Sequence, residues 1–504
     1  MRVTLACMGF ENQGVEALSA YLKAHGHEVA LAFDPALFDD KLLFHEHRLK
    51  SLFDDPDGFA ERVLATRPDV VGFSVFSINY PWGRERAKRL KARAPRLPVV
   101  FGGIHPTLSP EAVMSEPAID HVVVGEGEGA LLDLVEALGA GASTGAIANV
   151  WGRDAGGSVW SNPVRPYIRD LDALPLPDKD LFYDLDGSFA RAFQTLSTRG
   201  CPYRCTFCCA SHYHRLYDAR DNPIRRRGVS TILREITHFR ARHRIERVLF
   251  EDDVFGNDRA WLREFAARYP REVGLPFKAV TYPAFLDAES VRLLADAGCY
   301  KLELGVQTGS EAERRRLGRR EKNRELEEVG RLCREARLPL HPDHIFGIPG
   351  DTREAQEEAL LLYNRMRPAQ ITCFSIQHFA SLPLAERAVE SGDLTRGEVE
   401  RLAHGEGIHL MNGRLAMPAA KRRFYRPFYA LMVILPWLSP ALVEWLVRTR
   451  SYRLLALPDV VILTLYGLRS AQVGNAQVGE HLGRAVRQIG RHVLRGMLPR
   501  AVPG

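Results

Sequence analysis

Twice along this chain, short β-branched runs alternate with amphipathic stretches, and that pattern leaves few folds open. Over residues 1–150 the runs RVTLAC, HEVALAF, DVVGFSV, PVVFGG and DHVVVGE read as five buried strands. Between them GVEALSAYLKAHG, GFAERVLATR, WGRERAKRLKAR and EGALLDLVEALG carry helical apolar spacing. Strands that are apolar throughout are covered on both faces. This block therefore predicts an α/β domain with a Rossmann-like, doubly wound parallel sheet. Such sheets take ligands at the carboxyl ends of their strands, where this sequence has Ser74, Ser77, Gly102, Gly103, Thr107, Gly125 and Gly127.

Residues 194–380 repeat the alternation six times. TLSTR, RVLFEDD, FKAVTY, YKLELGV, LHPDHIFG and QITCFSI are the candidate strands, with helical stretches near 228–243, 257–269, 287–297, 323–337 and 353–367. Six β/α units in one block predict a partial (β/α)6 barrel. Residues 151–193 read as a linker, in which WGRDAGGSVW is a candidate hairpin and the prolines of RDLDALPLPDKDLF favour extended chain. Residues 381–504 lose the strand pattern and read as helical. A length of 504 residues, with 46% hydrophobic and 26% charged residues, accommodates these parts as globular domains with their own cores.

The net charge of +6 conceals an asymmetry: from Arg414 onward fourteen Lys and Arg face three Asp and Glu. Within this basic region the apolar segment Phe428–Val447 is interrupted by Pro436, Pro440 and Glu444, and arginines flank it on both sides. Three placements are open: an interfacial position on anionic lipid, a buried helical cap over the barrel mouth, and a true membrane span. The N-terminus lacks the basic and apolar regions of a signal peptide, which predicts a cytoplasmic protein. In the interfacial case it would be peripheral to the inner face of the membrane.

Eight cysteines are present, and four of them fall within STRGCPYRCTFCC. Cys201, Cys205 and Cys208 have the spacing C-x3-C-x2-C directly after a candidate strand. This is no secreted disulfide framework. Thiolates are the usual ligands of iron–sulfur clusters, and three on one loop can hold three irons of a cubane while the fourth stays open. A structural zinc site is the alternative, with Cys209, His212 or His214 as its fourth ligand.

The triplet resembles the CxxxCxΦC signature of the radical S-adenosylmethionine (SAM) superfamily, with Phe207 as Φ. The resemblance implies a 4Fe–4S cluster whose open iron is chelated by SAM. It also implies reductive cleavage to a 5′-deoxyadenosyl radical, and an electron donor such as flavodoxin or ferredoxin. Further pieces match: FEDDVF at the end of the second barrel strand makes Asp252 and Asp253 candidates for the SAM amino group, with a helix cap as the alternative role. LELGVQTGS resembles the fourth-strand segment, making Glu303 and Gln307 SAM candidates, although Gln307 replaces a commoner Glu. GIPGD resembles the stretch that lets backbone approach the adenine, through Gly347, Ile348 and Gly350.

The first block, with VVFGGIHPTLSPE and DHVVVGEGEGALLDLVEAL, resembles the cobalamin-binding domain fused to many radical SAM enzymes. The resemblance implies cobalamin contacts from Ser74, Ser77, Gly102, Gly103, His105, Thr107, Gly125, Glu126 and Gly127. The D-x-H-x-x-G pattern that supplies a lower axial histidine is absent, so base-off cobalamin without a protein histidine is expected.

The two resemblances together imply methylation of an unactivated carbon in a small-molecule or lipid-like substrate. One SAM re-methylates cobalamin and another is cleaved at the cluster. Radical oxidation or ring formation without methyl transfer, as in anaerobic magnesium-protoporphyrin cyclases, is the second reading, and a non-catalytic cobalamin sensor is the third. Tyr282, Asp343, His344 and Gln377 are mouth-lining candidates by strand position. No catalytic acid or base is singled out, and no nucleic-acid partner is expected.

Overall fold

A computed structural model describes residues 1–37, 53–154, 156–217, 224–407 and 417–473, together with 483, 486 and 487. Its first sheet contains β1 (Arg2–Met8), β2 (Glu28–Asp34), β3 (Val70–Ser74), β4 (Val99–Gly102), β5 (His121–Val123), β6 (Val150–Arg153) and β7 (Val159–Ser161). The order is β2-β1-β3-β4-β5-β6-β7, and the first five strands run parallel. Along β1, Val3, Leu5 and Cys7 enter one apolar cluster while Ala6 and Met8 enter another. Both faces are therefore covered, as the uninterrupted apolar run requires.

The segment expected as a linker hairpin joins this sheet. β6 and β7 are antiparallel and extend it past β5, and β6 alternates buried Val150 and Gly152 with half-buried Trp151 and Arg153. The linker is then pinned under the first domain. Its Lys179 is buried between Glu11 at 2.8 Å and Glu16 at 2.7 Å. Burial works against the lysine's charge, but the two carboxylates outweigh it and hold its pKa above the ordinary value.

The second sheet holds six parallel strands: β8 (Ala192–Thr195), β11 (Arg247–Phe250), β12 (Phe277–Thr281), β13 (Cys299–Gln307), β14 (Leu340–Phe346) and β15 (Thr372–Ser375). The order β15-β14-β13-β12-β11-β8 leaves β8 and β15 as edges, which makes an open partial barrel. Leu302, Leu304 and Val306 of β13 pack into the core, so alternation turns Lys301, Glu303, Gly305 and Gln307 to the inner face.

TLSTR is not one strand. β8 ends at Thr195, and Thr198–Arg199 (β9) pairs antiparallel with Arg225–Arg226 (β10). The cause is Asp252 at the end of β11. It accepts from the backbone N–H groups of Ser197 and Thr198 and from both their hydroxyls, drawing the chain out of the ladder.

One apolar cluster runs from Leu22 and Leu134 of the first domain through Phe182 and Phe189 of the linker to Phe193 and Phe250 of the barrel. The C-terminal region is helical, as expected, at Pro383–Glu390, Arg396–Ala403, Ala419–Ile434, Pro440–Arg448 and Asp459–Gln472. The apolar segment Phe428–Val447 divides within itself. Phe428 to Val433 and Leu435 are buried in the shared core, a 3-10 turn breaks the helix at Leu435–Trp437, and Trp437, Leu442 and Trp445 are exposed. Among the described residues no helix is long and apolar enough to cross a membrane. Much of the basic tail lies outside the described residues.

Candidate active site

A cavity of about 410 Å³ lies where the first sheet meets the cysteine loop. From the first domain, Ser74, Gly102, Gly103, Gly125, Glu126 and Gly127 wall it. From the second, Gly200, Cys201, Cys209 and Asp253 do. Its floor is the carboxyl ends of β3, β4 and β5, beside the point where the strand order reverses between β1 and β3. Open α/β sheets bind ligands there because adjacent loops diverge and leave a crevice.

The glycines of this wall have different causes. Gly103 (φ +102°) and Gly125 (φ +82°) have left-handed backbones, and a Cβ would meet the Val75 carbonyl oxygen at 2.8 Å or the Tyr217 hydroxyl at 2.1 Å. The protein itself requires glycine at both. At Gly102 a Cβ would find nothing closer than 3.9 Å, so its missing side chain leaves space open to the cavity. Thr107 lies just behind the wall and ties the two glycine loops together. Its hydroxyl donates to Gly103 O at 2.8 Å and accepts from Gly125 N at 3.0 Å.

Ser77 and His105 do not line the cavity. They are buried beneath it and bond to each other at 2.9 Å, with His105 against Tyr80. Burial lowers the His105 pKa to about 3, leaving a neutral ring packed in the fold.

Glu126 fastens the two domains. One carboxylate oxygen accepts from Arg225 at 2.6 Å and Arg199 at 3.4 Å, and the other from Ile168 N at 2.9 Å. Its own N–H donates to the Tyr217 hydroxyl at 2.7 Å, and Tyr217 stacks on Tyr167 beneath Arg225. Sequence reasoning missed Arg199, Arg225, Tyr167 and Tyr217, whose pairing with the first domain is set only by the tertiary fold.

The cysteine loop runs from β9 to the helix Cys209–Leu216, whose N-cap is Cys208. Cys201 and Cys209 reach the cavity, while Cys205 is buried on the far side against Arg319, whose Nη1 is 3.9 Å from its sulfur. Burial pushes the Cys201 thiol up to about 12 and the Cys205 thiol upward as well. Thiols held above their ordinary range by burial stay neutral unless a metal takes the proton's place. Among the described residues, no three His, Cys, Asp or Glu side chains converge on a single ion. The zinc alternative also loses a ligand, because His214 Nε2 bonds the Cys201 carbonyl at 2.7 Å. Three cysteines spread along one loop suit a cubane, which takes each on a separate iron.

The two aspartates at the end of β11 part company. Asp252 is buried and spent on Ser197 and Thr198, whereas Asp253 stands open to the cavity whose walls hold its carboxyl above the ordinary range. Phe207 packs with Ile345, Ile348 and Leu317 in a small apolar cluster, so the aromatic of the cysteine motif and the GIPGD stretch meet. Gly347 (φ +85°) and Gly350 (φ +80°) give that stretch its left-handed turns. Gln307 adopts φ +72° at a β-bulge in β13. Such backbone strain is held in place by the surrounding structure.

Glu303 is taken up by lysines, with Lys301 at 2.6 Å and Lys278 at 3.3 Å. Burial works against its charge, but the two lysines outweigh it and hold the carboxyl at about 2. Of the mouth candidates, Tyr282 stacks on Tyr203 and donates to Glu321. Asp343 is held well above the carboxylate range by burial and Glu303. His344 is buried between the Tyr363 hydroxyl and Gln356, which makes it a core residue.

Comparison with known proteins places these two halves. A family model described as a B12 binding domain matches residues 2–135, and one described as the radical SAM superfamily matches residues 195–362. Cytidylyl-2-hydroxyethylphosphonate methyltransferase of Streptomyces wedmorensis is 24% identical over 444 residues, covering 78% of this chain and 81% of its own. An anaerobic magnesium-protoporphyrin IX monomethyl ester cyclase of Cereibacter sphaeroides is 25% identical over 372 residues, 71% of this chain and 59% of that one. Among solved structures, the cobalamin-dependent radical enzyme OxsB, with aqua-cobalamin and SAM bound, superposes with TM-score 0.65 at 15% identity, over 99% of this chain and 82% of that chain. The methyltransferase TsrM of Kitasatospora setae, with cobalamin and a [4Fe–4S] cluster bound, gives TM-score 0.61 at 21% identity, over 77% and 74%. With a B12-binding domain ahead of a radical SAM domain, this chain belongs to the cobalamin-dependent radical SAM enzymes, whose cofactors are a 4Fe–4S cluster, SAM and cobalamin.

Proposed function

We propose that this enzyme transfers a methyl group to an unactivated carbon of a small organic substrate. The observation that carries the reading is the single cavity walled on one side by the glycine loops of the first sheet and on the other by Cys201, Cys209 and Asp253. Bound there, the cluster would supply the electron that cleaves SAM, and cobalamin would carry the methyl group.

The chain's own residues do the positioning. Cys201, Cys205 and Cys208 hold the irons. Asp253, open to the cavity, would take the SAM amino group, and the left-handed turns at Gly347 and Gly350, beside Phe207, would let backbone approach the adenine. Ser74 and Gly102, on the cavity wall, would leave room for the corrin, while Glu126 locks the two domains so that both reactants would meet one substrate atom. The Glu126–Arg225 and Glu126–Tyr217 bonds hold the two walls of the cavity at a fixed separation.

Relatives named for methylating a phosphonate and a carbapenam support a small-molecule substrate, as does the tryptophan substrate named for TsrM. The cyclase relatives favour a second reading, oxidative ring formation without methyl transfer. Anaerobic turnover with methyl-labelled SAM and mass spectrometry separates the two: methyltransfer puts the label in the product, and an unlabelled product rejects it. Absence of deoxyadenosine from the reduced, cluster-loaded protein would reject both.

Exposed Trp437, Leu442, Trp445 and Leu454, near Arg448, Arg450 and Arg453, support peripheral contact with anionic lipid and a lipid-like substrate. Co-flotation with anionic but not neutral vesicles tests this contact.

A further inference from the structure

We propose that the segment Glu311–Arg324 and the hollow beside it form the docking surface for an acidic one-electron carrier protein of the flavodoxin or ferredoxin kind. This rests on the cluster reading above. The segment carries seven Lys and Arg against three Glu. Arg314 and Arg319 are buried, while Arg315, Arg316, Arg320, Lys322 and Arg324 are exposed. The surface ion pairs of Arg315 with Glu311 (4.0 Å) and Arg316 with Glu313 (3.3 Å) leave both guanidinium groups about two-thirds exposed. Pairs of this kind are readily exchanged for a partner's carboxylates.

The segment is bonded to the cysteine loop. Thr206 N donates to Leu317 O at 3.0 Å, between Cys205 and Cys208. Gly318 lies so close that a Cβ would meet the Arg204 carbonyl oxygen at 2.8 Å. A hollow of about 760 Å³ opens here, walled by Tyr203, with Arg204, Arg320 and Arg324 set against Glu321, Glu325 and Glu328. None of its residues lines the cavity on the other side of the loop, which Cys201 and Cys209 face. A carrier docked at the hollow thus approaches the cysteine loop from a face separate from the cavity.

The step is a single electron transfer. The reduced carrier loses one electron and the 4Fe–4S cluster gains it, and no bond or proton moves. The exposed cations beside the hollow, Arg315, Arg316, Arg320, Lys322 and Arg324, steer an anionic partner and raise its association rate.

The test is stopped-flow reduction of the cluster by a reduced acidic flavodoxin, comparing wild type with the triple variant Arg316→Glu, Arg320→Glu, Arg324→Glu. The expected result at low ionic strength is a second-order rate lower by about tenfold or more in the variant, a difference that closes as salt is added. Dithionite should reduce both clusters equally, with matching iron content and circular dichroism. The cluster-free wild type should also bind oxidised flavodoxin more tightly than the cluster-free variant. Equal flavodoxin rates in the two proteins would overturn the docking surface. So would binding of a transfer RNA, but not flavodoxin, through these arginines. A cluster that dithionite cannot reduce would instead overturn the cluster reading, and the docking surface with it.

Discussion

The guanidinium of Arg319 lies 3.9 Å from the sulfur of Cys205 and is fixed there from three other directions. It donates to Glu321 at 2.7 Å and to the Gly305 carbonyl, and it lies over the Tyr282 ring at 4.5 Å. A buried cation beside a cluster thiolate favours the more negative, reduced state. Arg319→Met is therefore expected to shift the cluster midpoint potential to a more negative value at unchanged iron content. Arg319→Lys should recover part of the shift, because lysine keeps the charge but not the forked geometry that holds Glu321 and Gly305 together. A redox titration followed by electron paramagnetic resonance measures this, and identical potentials in wild type and Arg319→Met would refute it.

Asp252 and Asp253 are adjacent in sequence and opposite in role, which makes them separable by mutation. Asp252→Ala leaves the donors of Ser197 and Thr198 buried without an acceptor and should cost about 2–5 kcal/mol. The expected signs are a lower Tm and poor iron incorporation, since these residues lead into the cysteine loop. Asp253→Asn should keep Tm and iron content but weaken SAM binding by about tenfold to a hundredfold, the worth of one charge-assisted hydrogen bond. Equal iron loss in both variants would reject the division.

What the sequence made legible was local. The cysteine triplet, the glycine-rich strand ends and the two strand–helix alternations each lie within a short window, and the family patterns are written in those windows. Relations set by tertiary structure left no such trace. Cys205 and Arg319 are 114 residues apart, and Glu126 and Arg225 are 99 apart. TLSTR reads as a strand until Asp252, more than fifty residues later, draws Ser197 and Thr198 away. His105 sits in a motif that resembles a cofactor loop, yet burial against Tyr80 and Ser77 gives it a packing role. The glycines show a subtler limit. Sequence reasoning gives Gly102, Gly103 and Gly125 one shared purpose, whereas backbone conformation and close neighbours account for two of the three.

That difference between glycines is itself testable. Gly125→Ala places a methyl group 2.1 Å from the Tyr217 hydroxyl on a backbone with φ +82°. It should disturb the contact between the domains and lower stability by about 1–3 kcal/mol or more. Gly102→Val places its Cβ in ordinary contact, 3.9 Å from Val123, and should leave Tm nearly unchanged while its methyl groups occupy cavity volume. Cobalamin retained after anaerobic reconstitution, read from its visible absorption, should fall in Gly102→Val at wild-type stability. Full cobalamin loading in that variant would place the corrin elsewhere.

The dependence of stability on pH follows from buried neutral histidines, among them His344, whose two ring nitrogens both have hydrogen-bond partners. Its nitrogens lie 3.1 Å from the Tyr363 hydroxyl and 3.0 Å from Gln356 Oε1, and burial lowers its pKa from 6.5 to about 4. Between these two values the unfolded chain binds the extra proton and the folded one does not, so stability falls as the pH drops from 6.5 and levels off below about 4. At pH 5 the contribution lost is about 2 kcal/mol, from 1.36 kcal/mol per pH unit. His105 and His341, each lowered to about 3 by burial, act in the same direction, so the whole protein loses more than His344 alone can explain. The difference between wild type and His344→Gln isolates the single residue. The variant should start less stable at pH 7, because it repacks a buried bonded ring, but lose about 2 kcal/mol less on going to pH 5. Urea unfolding at the two pH values measures both numbers, and parallel losses in the two proteins would mean that His344 is already protonated in the fold.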